Sequence, residues 1–296
     1  MTIFVYLVNL WSNEWPIGLV VIPTITNPMI YIEVHPLLLL INRNSVVKMM
    51  DCLNEVAMSF SREDTSPRYA RFHLFEMTLT LMVFLAIASA QCYLLCRIIN
   101  LGTILVLIQS GLVSTLLSGL LAMIASALHT LKIRVKRMRG ISDFETAVRD
   151  YERIADAAAC FEKICNINCS VTITKCFIEM NICIFFAFEK NSFEEWMEGL
   201  GWAAVQLWII WRLIIASVTV GDQAYAFYSQ FRVQVKRQGL DEYVPHNAIL
   251  YMFLMRRTRI KFTGFGMFKL DKKFFGSVIL ATSTYTIMLR SMIKLQ

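Results

Sequence analysis

Charge is scarce in this chain. Asp, Glu, Lys and Arg make up 17% of its 296 residues while 56% are hydrophobic, and mean hydropathy is +0.53; a soluble domain carries roughly 25% charged residues. That deficit excludes an ordinary globular core, because this much apolar surface needs lipid. Six prolines and twelve glycines leave no room for a low-complexity linker. No internal repeat is found, which argues against a secondary transporter built on repeat symmetry. The four histidines, His35, His73, His129 and His246, are scattered and gather no metal site. Eight cysteines, Cys52, Cys92, Cys96, Cys160, Cys165, Cys169, Cys176 and Cys183, form no CxxC pair. Those from Cys165 to Cys183 lie on or beside one apolar stretch with no histidine nearby, so they read as small buried residues rather than metal ligands or a disulfide framework. P-loop, HExxH and GxSxG motifs are all lacking. The sequence is therefore read as that of no enzyme, and no cofactor or metal is expected.

What is present is a set of long apolar runs. A bilayer core takes about 20 apolar residues per helix, and candidate spans are 17–41, 72–96, 101–131, 171–188, 200–221 and 274–293. The first contains Pro23, Pro28 and Pro36 and should be kinked. Span 101–131 is longer than a membrane requires and should run on as helix into water. Before all of these, Met1–Trp11 is an apolar stub too short to cross and without the basic start of a signal peptide. Lys and Arg set the orientation. Loops 42–71, 132–170 and 222–273 hold 23 of them; the alternate loops hold Arg97 and Lys190 alone. By the positive-inside rule the three rich loops are cytoplasmic and the C-terminus is extracellular. The basic charge is thus a topology signal and not a nucleic-acid footprint.

Two loop stretches read as helices. Phe144–Lys163 is rich in alanine and charge and suits a helical extension of the flanking spans. Asn247–Phe262 joins an apolar set (Ile249, Leu250, Met252, Phe253, Leu254) to Arg256, Arg257, Arg259 and Lys261, a basic amphipathic helix for a membrane surface or for partner helices. Asn27-Pro28-Met29-Ile30-Tyr31 matches an NPxxY pattern, but it sits in the wrong span and is read as coincidence. The sequon Asn168-Cys169-Ser170 falls on the cytoplasmic side and should stay unmodified. At membrane depth, where ionisable groups are costly, stand Glu179 and Arg212. Each lies roughly 12–14 Å above the inner end of its span at 1.5 Å per residue. They are candidates for a buried pair, with Glu33 a rival partner and a separate watery vestibule for each the alternative.

The C-terminal segment is the most specific signal. Phe262-Thr263-Gly264-Phe265-Gly266-Met267-Phe268-Lys269-Leu270-Asp271 resembles the "FTAxGFFxLD" segment of insect gustatory receptors, and Thr284-Tyr285 resembles the start of that family's closing "TYhhhhhQF" signature. Physically, Gly264 and Gly266 permit a sharp turn and Asp271 can cap the next helix. The resemblance is motif-level over about the last 45 residues and one of layout elsewhere. It implies an all-α membrane protein, a helical bundle of the insect chemoreceptor type spanning 1–296 as one domain. In this chain that bundle would have six complete transmembrane helices, the N-terminal stub as the outer end of a first span, and cytoplasmic anchor helices over about 132–170 and 241–266. It further implies a plasma-membrane, ligand-gated cation channel opened by a small-molecule tastant, assembled as a homo- or heterotetramer. The last span of each subunit would line the pore, and ligands would bind on the extracellular side. Related odorant receptors share the closing pattern. Ser291 and Met292 stand at the "QF" positions, so a non-conducting or decayed paralogue is the alternative function.

Within 274–293, Ser277, Ala281, Thr284, Met288 and Ser291 recur at steps of four and three and share one helix face. Spacing alone fits either a water-lined stripe or small-residue helix packing; the resemblance makes it the pore face. Candidate pocket residues in the outer halves of the spans are Gln91, Tyr93, Gln109, Phe185, Phe188, Trp202 and Gln206, aromatics with a few amides as suits an apolar site. The orientation is testable in cells. A glycosylation acceptor placed within 193–199 should be modified and one placed beside Gly239 should not; the reverse pattern would overturn the topology.

Overall fold

The computed structural model describes residues 41–61, 101–189, 193–255, 260–264, 266 and 268–294. The expected spans 17–41 and 72–96 and the stub lie outside these residues, Ile41 excepted. Six helices are described: α1 (Arg43–Ser61), α2 (Leu101–Val135), α3 (Ile141–Glu189), α4 (Phe193–Arg237), α5 (Ala248–Met255) and α6 (Lys272–Lys294). Two short 3₁₀ turns, Leu240–Glu242 and Val244–His246, and a two-stranded hairpin, β1 (Thr263–Gly264) with β2 (Phe268–Lys269), fill the segment from α4 to α6.

Length is the first consequence of the sequence. The 49 residues of α3 and the 45 of α4 rise about 73 and 68 Å, more than twice a bilayer core of about 30 Å. The charge-rich stretch from Phe144 and the apolar run from Val171 are therefore one rod, with no break between loop and span. Among the described residues three helices are long and apolar enough to cross a membrane: Val113–Val135, Ile141–Ile184 and Gly199–Arg237. α2 ends near its basic last turn, Lys132 and Arg134. The Asp143 carboxylate then accepts the backbone N–H groups of Arg139 and Gly140 at 3.3 and 3.4 Å, fixing the start of α3.

Side-chain spacing sets the packing. Met49, Leu53 and Val56, at steps of four and three, are the buried face of α1. On α2 the buried line runs Leu117, Leu121, Ile124, Leu128, Leu131 and Val135. At the basic end an aromatic knot ties three helices. Tyr151 stacks on Phe227 at 4.9 Å, Phe144 meets Phe231 edge-on at 5.3 Å, and Phe253 of α5 lies edge-on to Tyr151 and Phe231 at 5.3 and 4.9 Å. Such pairs contribute about 0.5–1.5 kcal/mol each beyond area burial. Asn247 starts α5, accepting the Leu250 N–H at 3.2 Å while donating to Glu145 at 2.6 Å. Of the expected stretch Asn247–Phe262, Ala248–Met255 is helix and Ile260–Phe262 is not, and residues 256–259 lie outside the described residues.

An ion network closes the same end. Asp150, 2% exposed in its side chain, meets Arg134 at 3.1 Å and Arg153 at 3.4 Å, and Arg153 reaches Glu55 of α1 at 3.3 Å. Removing one partner of a buried pair leaves the other charge uncompensated. Asp150→Ala should therefore cost about 3 kcal/mol, measured as a lowered melting temperature of the purified protein in detergent. Asp150→Asn should lose less, because the amide still accepts one hydrogen bond.

Candidate functional site

The polar side chains within the apolar length of α3 and α4 come first. Lys175 and Glu179 are one turn apart on α3 and their Nζ and Oε1 lie 3.5 Å apart, Lys175 being 1% exposed. Gln206 of α4 donates its Nε2 to the other carboxylate oxygen at 2.6 Å. A carboxylate accepts only, so the amide must present its NH₂ there, and Gln206 Oε1 is left buried without a hydrogen-bond partner. Glu179 therefore pairs with Lys175 and not with the candidate Arg212. The reason is geometric. Gln206 is the α4 residue that faces Glu179, and Arg212 lies six residues, about 9 Å of helix rise, further along α4. Equal depth in the span did not bring the two to one level. Arg212 instead lies on the wall of a cavity between α2 and α4.

Of the candidate pocket residues, Gln206 is buried and bound to Glu179, and Trp202 of α4 is half-buried. Gln109 belongs to α2, and Phe185 and Phe188 to α3, with side chains outside the described residues; Gln91 and Tyr93 lie outside them altogether. The structure brings none of these into a common described cavity.

The segment Phe262–Asp271 is clamped onto α3. Phe262 is buried against Phe161, ring centroids 5.4 Å apart. Thr263 donates to Glu162 at 2.9 Å, and the Gly266 N–H donates to Asn166 Oδ1 at 3.0 Å. The strands pair Thr263 with Lys269 and Gly264 with Phe268. Gly266 has φ 69°, the left-handed turn that glycine adopts without cost. A Cβ on Gly264 would lie 2.8 Å from Ser170 Oγ and closer still to the Phe268 ring, so glycine there lets the hairpin seat on α3. Phe268 stacks on Phe274 at 4.3 Å, Leu270 is buried and its carbonyl accepts from Ser217 of α4 at 3.3 Å. Asp271 Oδ1 accepts the Phe274 N–H at 2.9 Å and caps α6.

α6 is seated along one narrow face. Val278 and Thr282 are buried, and Phe275 lies against Trp211 of α4 at 4.7 Å. Ser277, Ala281, Thr284, Met288 and Ser291 are all exposed, as is Tyr285. The exposed hydroxyls donate inward to their own helix: Ser277 to Lys273, Thr284 to Leu280 and Ser291 to Met288, at 3.1, 2.9 and 2.7 Å.

Sequence reasoning missed Lys175, although its spacing of four from Glu179 was the available signal. It also missed Glu162, Asn166 and Ser170, whose role follows only from the fold that lays the hairpin on them.

The sequence profile described as 7tm chemosensory receptor matches residues 28–289. The fold is similar to the structure of the insect olfactory receptor OR5 from Machilis hrabei, with a TM-score of 0.69 over 90% of this chain and 79% of that one; at 12% identity the likeness is one of fold. No curated protein matches the sequence.

The buried pair generates a prediction. Lys175→Met should cost about 3 kcal/mol by stranding the Glu179 carboxylate, and Lys175→Met with Glu179→Leu should recover most of that loss. Melting of the three purified proteins checks it; additive losses would mean that the two charges do not support one another.

Proposed function

This chain belongs to the 7tm chemosensory receptor family, and from that premise we propose that it is a gustatory-type subunit of a ligand-gated cation channel, a tetramer in the plasma membrane opened by a small-molecule tastant. The observation that carries the reading is the outward face of α6. The stripe Ser277, Ala281, Thr284, Met288 and Ser291 is exposed while Val278 and Thr282 hold the helix to its own bundle. Its hydroxyl hydrogens are spent on backbone carbonyls, so the oxygens offer lone pairs outward. Several such helices around an axis make a path lined by acceptors, which suits cations. The basic ends of α2 and α4 face the cytoplasm in this reading, and the C-terminus lies outside. The segment Phe262–Asp271 favours the gustatory branch over the odorant one.

Gating follows from the same frame. α3 carries Lys175 and Glu179 in its apolar half and Glu162 and Asn166 against the hairpin that precedes α6. A ligand that shifts α3 moves the base of the pore helix with it. Current recording from cells expressing the chain tests the assignment. Met288→Ala or Ser291→Gln should change ion selectivity or blocker sensitivity while leaving the ligand concentration for half-activation within about threefold. Unchanged permeation in both variants with robust ligand-evoked current would return the stripe to helix packing. Absence of current from a well-expressed protein would favour the non-conducting subunit.

A further inference from the structure

Three apolar runs reach their basic ends at one level. Those of α3 and α4 end towards Ser170 and Gly221, and that of α6 begins at Phe274. The hairpin joins these ends. A Cβ on Gly264 would lie 2.8 Å from Ser170 Oγ, one on Gly221 would lie 3.4 Å from the Ile260 carbonyl oxygen, and Ser217 donates to the Leu270 carbonyl at 3.3 Å. Five lysines are exposed around this level: Lys163 of α3, Lys261 just before the hairpin, Lys269 in its second strand, and Lys272 and Lys273 at the start of α6. Lys163 follows Glu162, which accepts from Thr263, and Lys269 stands opposite Thr263 in the hairpin, so α3 and the hairpin contribute to one cluster. The carboxylates nearby are Glu162, Asp222 and Asp271, of which the first is held by Thr263 and the last caps α6. Among the described residues no ion pair engages any of the five ammonium groups.

We propose that this lysine cluster, with the apolar face of α6 beside it, binds the headgroup and an acyl chain of an anionic phospholipid of the inner leaflet. A cluster of about 4–8 basic residues just cytoplasmic of a span attracts anionic lipid. Orientation alone does not require such a gathering, because it depends on basic residues counted over whole loops. The apolar half of the site is on α6. Lys273, Leu280 and Ile287 recur every seven residues and share one face, and Leu280 and Ile287 are 69% and 70% exposed. Gly276 keeps that face open between them, since nothing lies within 4 Å of a Cβ placed there. The face runs beside the Ser277–Ser291 stripe and away from the buried Val278 and Thr282. Leu280 stands about 10 Å of helix rise beyond Lys273, within the roughly 15 Å depth of one leaflet. A charged head and an apolar chain thus meet matching surfaces in the order a lipid presents them. A multivalent headgroup held by lysines of α3, the hairpin and α6 would tie the three together where Gly264 seats the hairpin.

The site needs only the orientation that places these lysines inside, and not conduction, so it and the channel assignment can fail separately. Thermal melting of the purified protein in a neutral detergent reads binding, because a ligand of the folded state raises the melting temperature. The probe is dioctanoyl phosphatidylinositol bisphosphate; dioctanoyl phosphatidylcholine matches its chains and inositol trisphosphate its head. The first should raise the melting temperature saturably, and the other two should leave it unchanged over the same concentrations. Lys269→Gln with Lys272→Gln and Lys273→Gln should raise the half-saturating concentration about tenfold or more. Arg232→Gln with Lys236→Gln and Arg237→Gln removes the same charge from exposed positions about 22–30 Å beyond Ser217 along α4, and should leave it within about twofold. If the first triple variant does not fold, the three probes on the unaltered protein make the decision. Equal loss in the two triple variants, no loss in either, or an equal response to phosphatidylcholine would overturn the proposal. An equal response to inositol trisphosphate would overturn it too, by making the ligand a free polyphosphate.

Discussion

One uninterrupted helix touches every other helix described in this molecule. α3 runs 49 residues, and each neighbouring element takes its place from a particular side chain on it. Arg153 holds α1 through Glu55, Asp150 holds the end of α2 through Arg134, and Tyr151 holds α4 and α5 through Phe227 and Phe253. Higher along the rod, Glu162 and Asn166 receive the hairpin, and Glu179 receives Gln206. The chemistry changes with position. Ion pairs and aromatic stacking serve the charge-rich half, while in the apolar half Lys175, Glu179 and Gln206 bond to one another and leave Gln206 Oε1 over. A helix that crosses from one solvent to another must supply both kinds of contact, because hydrogen bonds left open at membrane depth cost several kcal/mol each.

This arrangement explains how α6 can be held by so little of its own surface. Its start is fixed before its span begins. Asp271 caps it, Phe274 stacks on Phe268, and Phe268 belongs to a hairpin already pinned to α3. Gly264 is the residue on which that pinning turns, since the hairpin and Ser170 leave no space for a side chain there. Val278 and Thr282 then suffice to set the helix direction. Substituents on the remaining faces are constrained by what surrounds the bundle and not by what is inside it.

The sequence made some of this legible and hid the rest for identifiable reasons. Apolar runs located α2, α3, α4 and α6 as helices, and among the described residues α2, α3 and α4 hold stretches long and apolar enough to cross a membrane. The same runs placed boundaries poorly. Ser170 and Val171 look like the edge of a span, yet the backbone passes through them as helix, since alanine, glutamate and arginine favour helix as well in water as leucine does in lipid. Asn247–Phe262 showed the converse. Its apolar and basic residues have helical spacing up to Phe262, but Phe262 is taken up by Phe161 in a non-helical stretch. The cap at Asp271 was readable because capping is local. The Glu179 partner was not, because depth along a span does not report which residue of the next helix stands opposite; the i,i+4 lysine on the same helix needed no such knowledge. The cavity between α2 and α4, lined by Trp208 and Arg212, was invisible for a related reason: it is made by two faces meeting, and either face alone reads as ordinary packing.

The hydroxyls of α6 complete the physical account. Ser277, Thr282, Ser283, Thr284 and Thr286 each donate to the carbonyl four residues back, at 2.9–3.1 Å. Such back-bonding weakens a helix slightly, so repeating it five times in one helix needs an offsetting benefit. Lipid tolerates these side chains because no donor is left open, and water or a cation meets oxygen lone pairs. A helix built this way does not have to choose between the two surroundings. It can present Leu280 and Ile287, 69% and 70% exposed, on one side and an acceptor-lined stripe on another, while a buried pair of residues keeps its place in the bundle. That division of faces, more than any single side chain, separates α6 from α2, whose hydroxyls Ser114, Thr115 and Ser118 are buried beside the aliphatic line from Leu117 to Val135.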